Sequence, residues 1–139
     1  MKTLQTYLYS ATLFAIIILF ASCSRKMVFG TSQIEPAATG SVKLKKDKNK
    51  NQSIEVNVAN LAPAEKLTPP RSMYVVWMVT DDNRTRNIGQ LKSSTGFLSK
   101  KLKASLNTVT PFSPVRFFIT AENDGEIQYP GVPVVLSTN

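Results

Sequence analysis

Three groups of side chains in this 139-residue sequence have types and spacings that could do chemistry. Cys23 is the sole thiol and directly follows Phe20-Ala21-Ser22 at the close of an apolar run, where it could be acylated or act as a nucleophile. Asp81-Asp82-Asn83 and the trio Glu122, Asp124 and Glu126 offer oxygens of the kind that hard divalent cations accept. Lysines gather twice, as Lys43, Lys45, Lys46, Lys48 and Lys50 and again as Lys100, Lys101 and Lys103, and ammonium groups so placed suit an anionic partner.

Most catalytic chemistry lacks its parts. The chain has no histidine, which removes the commonest general base and metal ligand. Neither Gly-x-Ser-x-Gly nor Ser-x-x-Lys occurs, so no serine has a visible activator. A calcium loop begun at Asp81 would need glycine at its sixth position and a bidentate glutamate at its twelfth, where this sequence has Arg86 and Lys92. Asp81-Asp82-Asn83 therefore reads as a β-turn, and Glu122, Asp124 and Glu126 as the polar end of a hairpin. The expectation is a protein that is not an enzyme and takes no cofactor or metal.

Cys23 is positioned by the segment before it. Leu8 to Ala21 is a nearly unbroken apolar run of about 14 residues behind a single Lys2, closed by the small residues Ala21 and Ser22. That is the make-up of a secretory signal, shorter than the roughly 20 residues of a membrane span. Phe20-Ala21-Ser22-Cys23 resembles the lipobox of bacterial lipoproteins, which implies cleavage before Cys23 and diacylation of its sulfur. One acyl chain anchors marginally, whereas two or three hold firmly. With its only cysteine acylated, the chain must fold by burial alone. Residues 23–40 follow with Gly30, Pro36, Gly40 and no sustained periodicity, and read as the lipidated cysteine and a flexible tether. Ser24 stands where Asp would resemble an inner-membrane retention signal, and no acidic run resembling a surface-export signal follows, so the resemblance to bacterial lipoproteins implies outer membrane attachment facing the periplasm.

From Ser41 the pattern turns to period two. Val42 and Leu44 alternate with Lys43 and Lys45, and after a polar stretch Ile54, Val56 and Val58 alternate with Glu55 and Asn57, the signature of a hairpin with one dry face. Pro63, Pro69 and Pro70 then mark a crossover, since proline cannot serve a central ladder. Met73–Thr80 is apolar on both faces and reads as a central strand, which makes Trp77 a core residue. Residues 87–91 return as a strand, 97–109 fit strand or helix and are taken mainly as strand, 115–122 is β-rich, and 132–136 with Pro133 closes the domain as an edge. The fold class expected over 41–139 is all-β, a small antiparallel β-sandwich of immunoglobulin-like type.

Tyr74-Val75-Val76-Trp77-Met78-Val79, Arg86-Asn87-Ile88-Gly89-Gln90-Leu91, Phe118-Ile119-Thr120-Ala121-Glu122 with Gly125, and Pro130-Gly131-Val132-Pro133-Val134-Val135 together resemble the extracytoplasmic C-terminal domain of anti-sigma-K factors. The resemblance spans about residues 73–136 and implies a β-sandwich without catalytic residues. Such factors hold their sigma factor through a cytoplasmic helical domain, often built around a His/Cys zinc site. A chain with no histidine and one cysteine has no counterpart to that site, so sigma binding is not carried over.

Seventeen basic against nine acidic residues give +8, and +7 once Lys2 leaves with the leader. Alternation puts Lys43 and Lys45 on a solvated face opposite Val42 and Leu44, which protects a sheet edge and could also meet anionic envelope polymer or lipid head groups. Nucleic acid is not expected, because no aromatic stacking platform accompanies the charge. Partners in view are the membrane, through lipid on Cys23, and another envelope protein or an anionic envelope polymer.

Overall fold

The computed structural model describes residues 24–94 and 102–139. The expected leader over 1–22, Cys23, Lys100, Lys101 and most of the ambiguous stretch before Leu102 lie outside the described residues. Nine strands follow in order, β1 (Ser24–Val28), β2 (Thr39–Lys46), β3 (Gln52–Ala59), β4 (Met73–Thr80), β5 (Thr85–Gln90), β6 (Lys92–Ser94), β7 (Lys103–Thr110), β8 (Pro114–Glu122) and β9 (Val134–Ser137). One sheet has the order β1-β2-β3-β7-β6 and the other β5-β4-β8-β9, and the described pairings are antiparallel. Without β1, the order β2-β3-β7-β6 facing β5-β4-β8-β9 is that of an immunoglobulin-type sandwich with one additional strand beside its third.

Alternation decides which side chains meet between the sheets. Val42, Leu44, Ile54, Val56 and Val58 point inward from β2 and β3 to meet Tyr74, Val76, Met78, Phe117 and Ile119 of the facing sheet. Each fully buried side chain of this size contributes about 1.5–3 kcal/mol relative to exposure. β4 lies between β5 and β8 as its apolar faces require. Residues 103–110 are strand, with Ala104 and Thr110 buried. The proline-bearing segment 60–72 crosses between the sheets through one 3₁₀ turn, Ala64–Lys66, and Tyr74 Oη donates to the Ala62 carbonyl at 2.8 Å to hold it. Pro133 stands one residue before β9, an edge strand.

The tether expected from residue 24 to residue 40 is a correction, because that stretch is built into the sandwich. β1 pairs with β2 in the register Ser24↔Lys45, Lys26↔Lys43 and Val28↔Ser41. Met27 and Phe29 are buried in the inter-sheet core. Phe29 donates to the Gly40 carbonyl at 3.0 Å and Gly30 to the Ser137 carbonyl at 2.9 Å, so the segment bridges from one sheet to the last strand of the other. Ser32 accepts from the amides of Ile34 and Glu35 at 3.2 and 2.9 Å, and Ala38 donates to Glu35. Two inward side chains are too short a period-two signal to stand out among small and basic neighbours. The first described residue, Ser24, is thus already part of the sandwich.

Candidate functional site

The strand register sorts the basic residues into a face and an end. Lys26, Lys43 and Glu55 lie side by side across β1, β2 and β3, with Ser24, Lys45 and Ser53 in the neighbouring row. All point away from the inter-sheet core. Lys43 Nζ lies 3.9 Å from Glu55 Oε2, an exposed pair that contributes at most about 1 kcal/mol. Lys103 shares this outer surface at the far end of β7, opposite Ala59. Lys46 has the opposite parity and flanks a groove of about 300 Å³ with Arg25, Leu44, Gln52, Ser113 and Pro114. Lys48 and Lys50 occupy the β2–β3 turn. The expected lysine set is thus divided between the face (Lys43, Lys45, Lys103), the groove (Lys46) and the turn (Lys48, Lys50). Arg25 and Lys26, which fall in the expected tether, join it as residues of β1.

Three connections gather at the end where Ser24 starts. Lys46↔Gln52 closes the β2–β3 turn, Gln52 is opposite Thr110 at the end of β7, and Thr80 at the end of β4 is opposite Pro114. Turns 47–51, 81–84 and 111–113 therefore share one end of the sandwich with Ser24. Local hydrogen bonds shape each of them. Asp47 Oδ1 accepts from the amides of Asn49 and Asn51, both at 2.8 Å, and leaves the lysines between them exposed. Asp82 accepts from the Thr80 hydroxyl and pairs with Arg84 at 3.0 Å, contacts that hold its carboxyl below the usual range, the Thr80 bond foremost. Asp81-Asp82-Asn83 is the turn its sequence indicates, with Asn83 at φ 60°. The Arg86 guanidinium stacks on Phe112 at 3.9 Å and ties the start of β5, just after the second turn, to the third turn.

This end carries Arg25, Lys45, Lys46, Lys48, Lys50 and Arg84 against Asp47, Asp81 and Asp82, all exposed. Both Asp47 and Asp82 already accept hydrogen bonds within their own turns. Of the nine carboxylates, Glu35 and Glu65 stand on connections at the opposite end, Glu122 ends β8 there, and Asp124 and Glu126 lie on the loop that folds back from it. Lys66, Arg71 and Lys103 also stand at that opposite end, so among the described residues the excess of cations over carboxylates is largest where β1 begins.

The outer face of the β4–β8 pair is closed off. Val75, Trp77, Val79 and Phe118 form a second apolar cluster there, roofed by the β8–β9 connection, residues 123–133, through Ile127. Trp77 is fully buried as expected, yet it belongs to this cluster and not to the inter-sheet core. It stacks on Phe118 with centroids 6.2 Å apart and 12° between planes. Trp77 Nε1 donates to Thr120 Oγ1 at 2.8 Å, Thr120 donates to Glu122 Oε1 at 2.6 Å, and the Gly131 amide donates to the same oxygen at 2.8 Å. Asn87 Nδ2 donates to the carbonyls of Gly125 and Ile127 at 2.9 and 3.0 Å. Glu122 is thus buried and hydrogen-bonded within the domain, and Asp124 accepts from the Glu126 amide at 2.9 Å in a local turn. The trio read from sequence as a possible oxygen cluster acts as two separate structural devices. The roofing loop presents Tyr129, 82% exposed, and Val132, 77% exposed, to solvent.

Among the described residues, no group of three or more His, Cys, Asp or Glu side chains could hold a metal ion. Compared with known proteins, the chain matches no family model, no curated protein and no solved structure.

Proposed function

We propose that the chain is a lipid-anchored protein of the bacterial cell envelope, held by acylated Cys23, whose β-sandwich is a non-catalytic binding or sensing module that contacts another envelope protein. The observation that carries the binding role is the roofing loop. It offers an exposed aromatic and an exposed aliphatic residue, Tyr129 and Val132, on a backbone fixed by Asn87 and Glu122. A preorganised loop loses little conformational entropy on binding, and tyrosine is enriched in interface cores. The likeness of residues 73–136 to the outer domain of anti-sigma-K factors supports a non-catalytic module, and the lipobox supports the anchor. Outer membrane attachment facing the periplasm is part of the same reading.

Two experiments test it. Cys23→Ala should leave an uncleaved or mislocalised precursor, and a variant that labels with palmitate and fractionates like wild type would remove the anchor. A photo-crosslinking residue at position 129 should give one recurrent protein adduct in cells. Adducts spread over many proteins, or none, would instead favour a structural accessory lipoprotein whose basic side lies on anionic envelope material. Lys26 and Lys43 in one row, with Lys45 in the next row of the same outer face, are the observation behind that second reading.

A further inference from the structure

We infer that the basic end of the sandwich is a docking surface for the anionic phosphate layer of the bilayer that the anchor enters, so that the domain stands end-on with the 123–133 loop facing outward. This rests on the anchored reading of Cys23, and it specifies how the domain sits once anchored.

The geometry follows from β1. Ser24 is already paired with Lys45, so the proposed acylation site directly precedes the first paired residue of the strand. One residue spans at most about 3.6 Å. The end with turns 47–51, 81–84 and 111–113 is therefore held against the interface and cannot diffuse away on a long leash. Six exposed cations, Arg25, Lys45, Lys46, Lys48, Lys50 and Arg84, stand at this end. Screening makes position decisive, because the Debye length at physiological salt is about 8 Å. Charges at this end lie within that range of the phosphates, whereas the opposite end is about 26 Å away along eight-residue strands. Six cations against the three carboxylates Asp47, Asp81 and Asp82 at this end leave an excess whose sign favours this orientation.

Two features give the surface the chemistry of phosphate contact. Arg25 and Lys46 line the groove of about 300 Å³ together with Leu44 and Pro114, placing cations beside apolar side chains. Phe112, exposed on the third turn at the same end with one face under the Arg86 guanidinium, adds an aromatic ring of the kind that suits the boundary between head groups and acyl chains. The competing surface is the flat outer face of β1-β2-β3-β7. Its cations sit with Glu55 and with the uncharged Ser41, Asn57, Ser105 and Asn107, and lying flat would swing the 47–51 turn away from its closest approach.

The test uses the mature acylated protein reconstituted into vesicles of phosphatidylethanolamine and phosphatidylglycerol, with phosphatidylcholine vesicles for comparison and a nitroxide on a fraction of the head groups. Fluorophores are placed singly by Asn49→Cys in the basic turn, Asn107→Cys on the flat face and Tyr129→Cys on the roofing loop. Quenching at position 49 should exceed that at 107 and 129 on anionic vesicles. It should be lost in 0.5 M salt, on phosphatidylcholine, and in a variant with Lys45, Lys46, Lys48 and Lys50 changed to Gln. These lysines are exposed, so the variant should melt as wild type does. Strongest quenching at 107 would establish a flat orientation and overturn the proposal. Equal quenching at all three sites, on protein that floats with the vesicles, would overturn docking while leaving the anchor intact. Protein that neither floats nor carries acyl mass on Cys23 would refute the anchor and the docking together.

Discussion

The two ends of this sandwich are built by different means. At the end where Ser24 starts, turns 47–51 and 81–84 are closed by side chains bonding to their own backbone or near neighbours, as Asp47 does with Asn49 and Asn51 and Asp82 with Thr80. At the other end, the 60–72 crossover and the 123–133 loop are held by side chains distant in sequence. Tyr74 reaches Ala62, Asn87 reaches Gly125 and Ile127, and Trp77 reaches the loop through Thr120 and Glu122. A locally closed turn leaves its exposed positions free to carry charge at little structural cost. A loop closed from a distance is fixed by the core beneath it, and changes there are felt in stability.

The largest expected break in that contrast is Trp77→Ala. Removing a fully buried ring that stacks on Phe118 and hydrogen-bonds Thr120 should cost about 3–5 kcal/mol in denaturant unfolding. A loss below about 1 kcal/mol would place the ring at the surface and reopen a ligand role for it. Glu122→Ala comes next, because it leaves the Gly131 amide and the Thr120 hydroxyl without their acceptor, a cost of about 1–3 kcal/mol. Its effect should be local as well as global, with amide exchange rising over 123–133 more than in β2 and β3. Uniform acceleration would mean that the loop is not clamped by this residue.

The smallest effect depends on pH. The Tyr74 hydroxyl is pushed up to about 12 by burial, and further by the carboxylates of Glu35 and Glu65. Below pH 10 the hydroxyl is neutral in folded and unfolded chains alike, and its contribution is fully present. Between pH 10 and 12 the unfolded chain releases a proton that the folded one retains, so stability falls as pH rises. Tyr74→Phe should lose about 1 kcal/mol at neutral pH with the bond to Ala62, and should then decline less than wild type across that alkaline window. Parallel pH profiles would show that Tyr74 does not titrate with folding.

What the sequence revealed follows the same division. The β2–β3 hairpin, central β4, the Asp81-Asp82-Asn83 turn and the proline-rich crossover were legible because each is written in neighbouring residues. β1 was not, since only Met27 and Phe29 turn inward and the pairing that makes it a strand lies with Val42 and Gly40. Trp77 was legible as buried but not as part of a second cluster, because both faces of β4 are apolar and the loop covering one of them follows β8, more than 40 residues on. The lysines were visible as charges. Their division between face, groove and turn needed the register, which also brought Arg25 and Lys26 beside them.

The proposed orientation at a membrane depends on whether residues 24–30 are strand or leash, and hydrogen exchange on the mature protein reads this directly. A folded β1 predicts slow exchange at the ladder amides of 24–28 and at Phe29 and Gly30, whose amides donate to Gly40 and Ser137. Coil-rate exchange throughout that segment, beside a protected β2, would restore a flexible tether and contradict the end-on geometry.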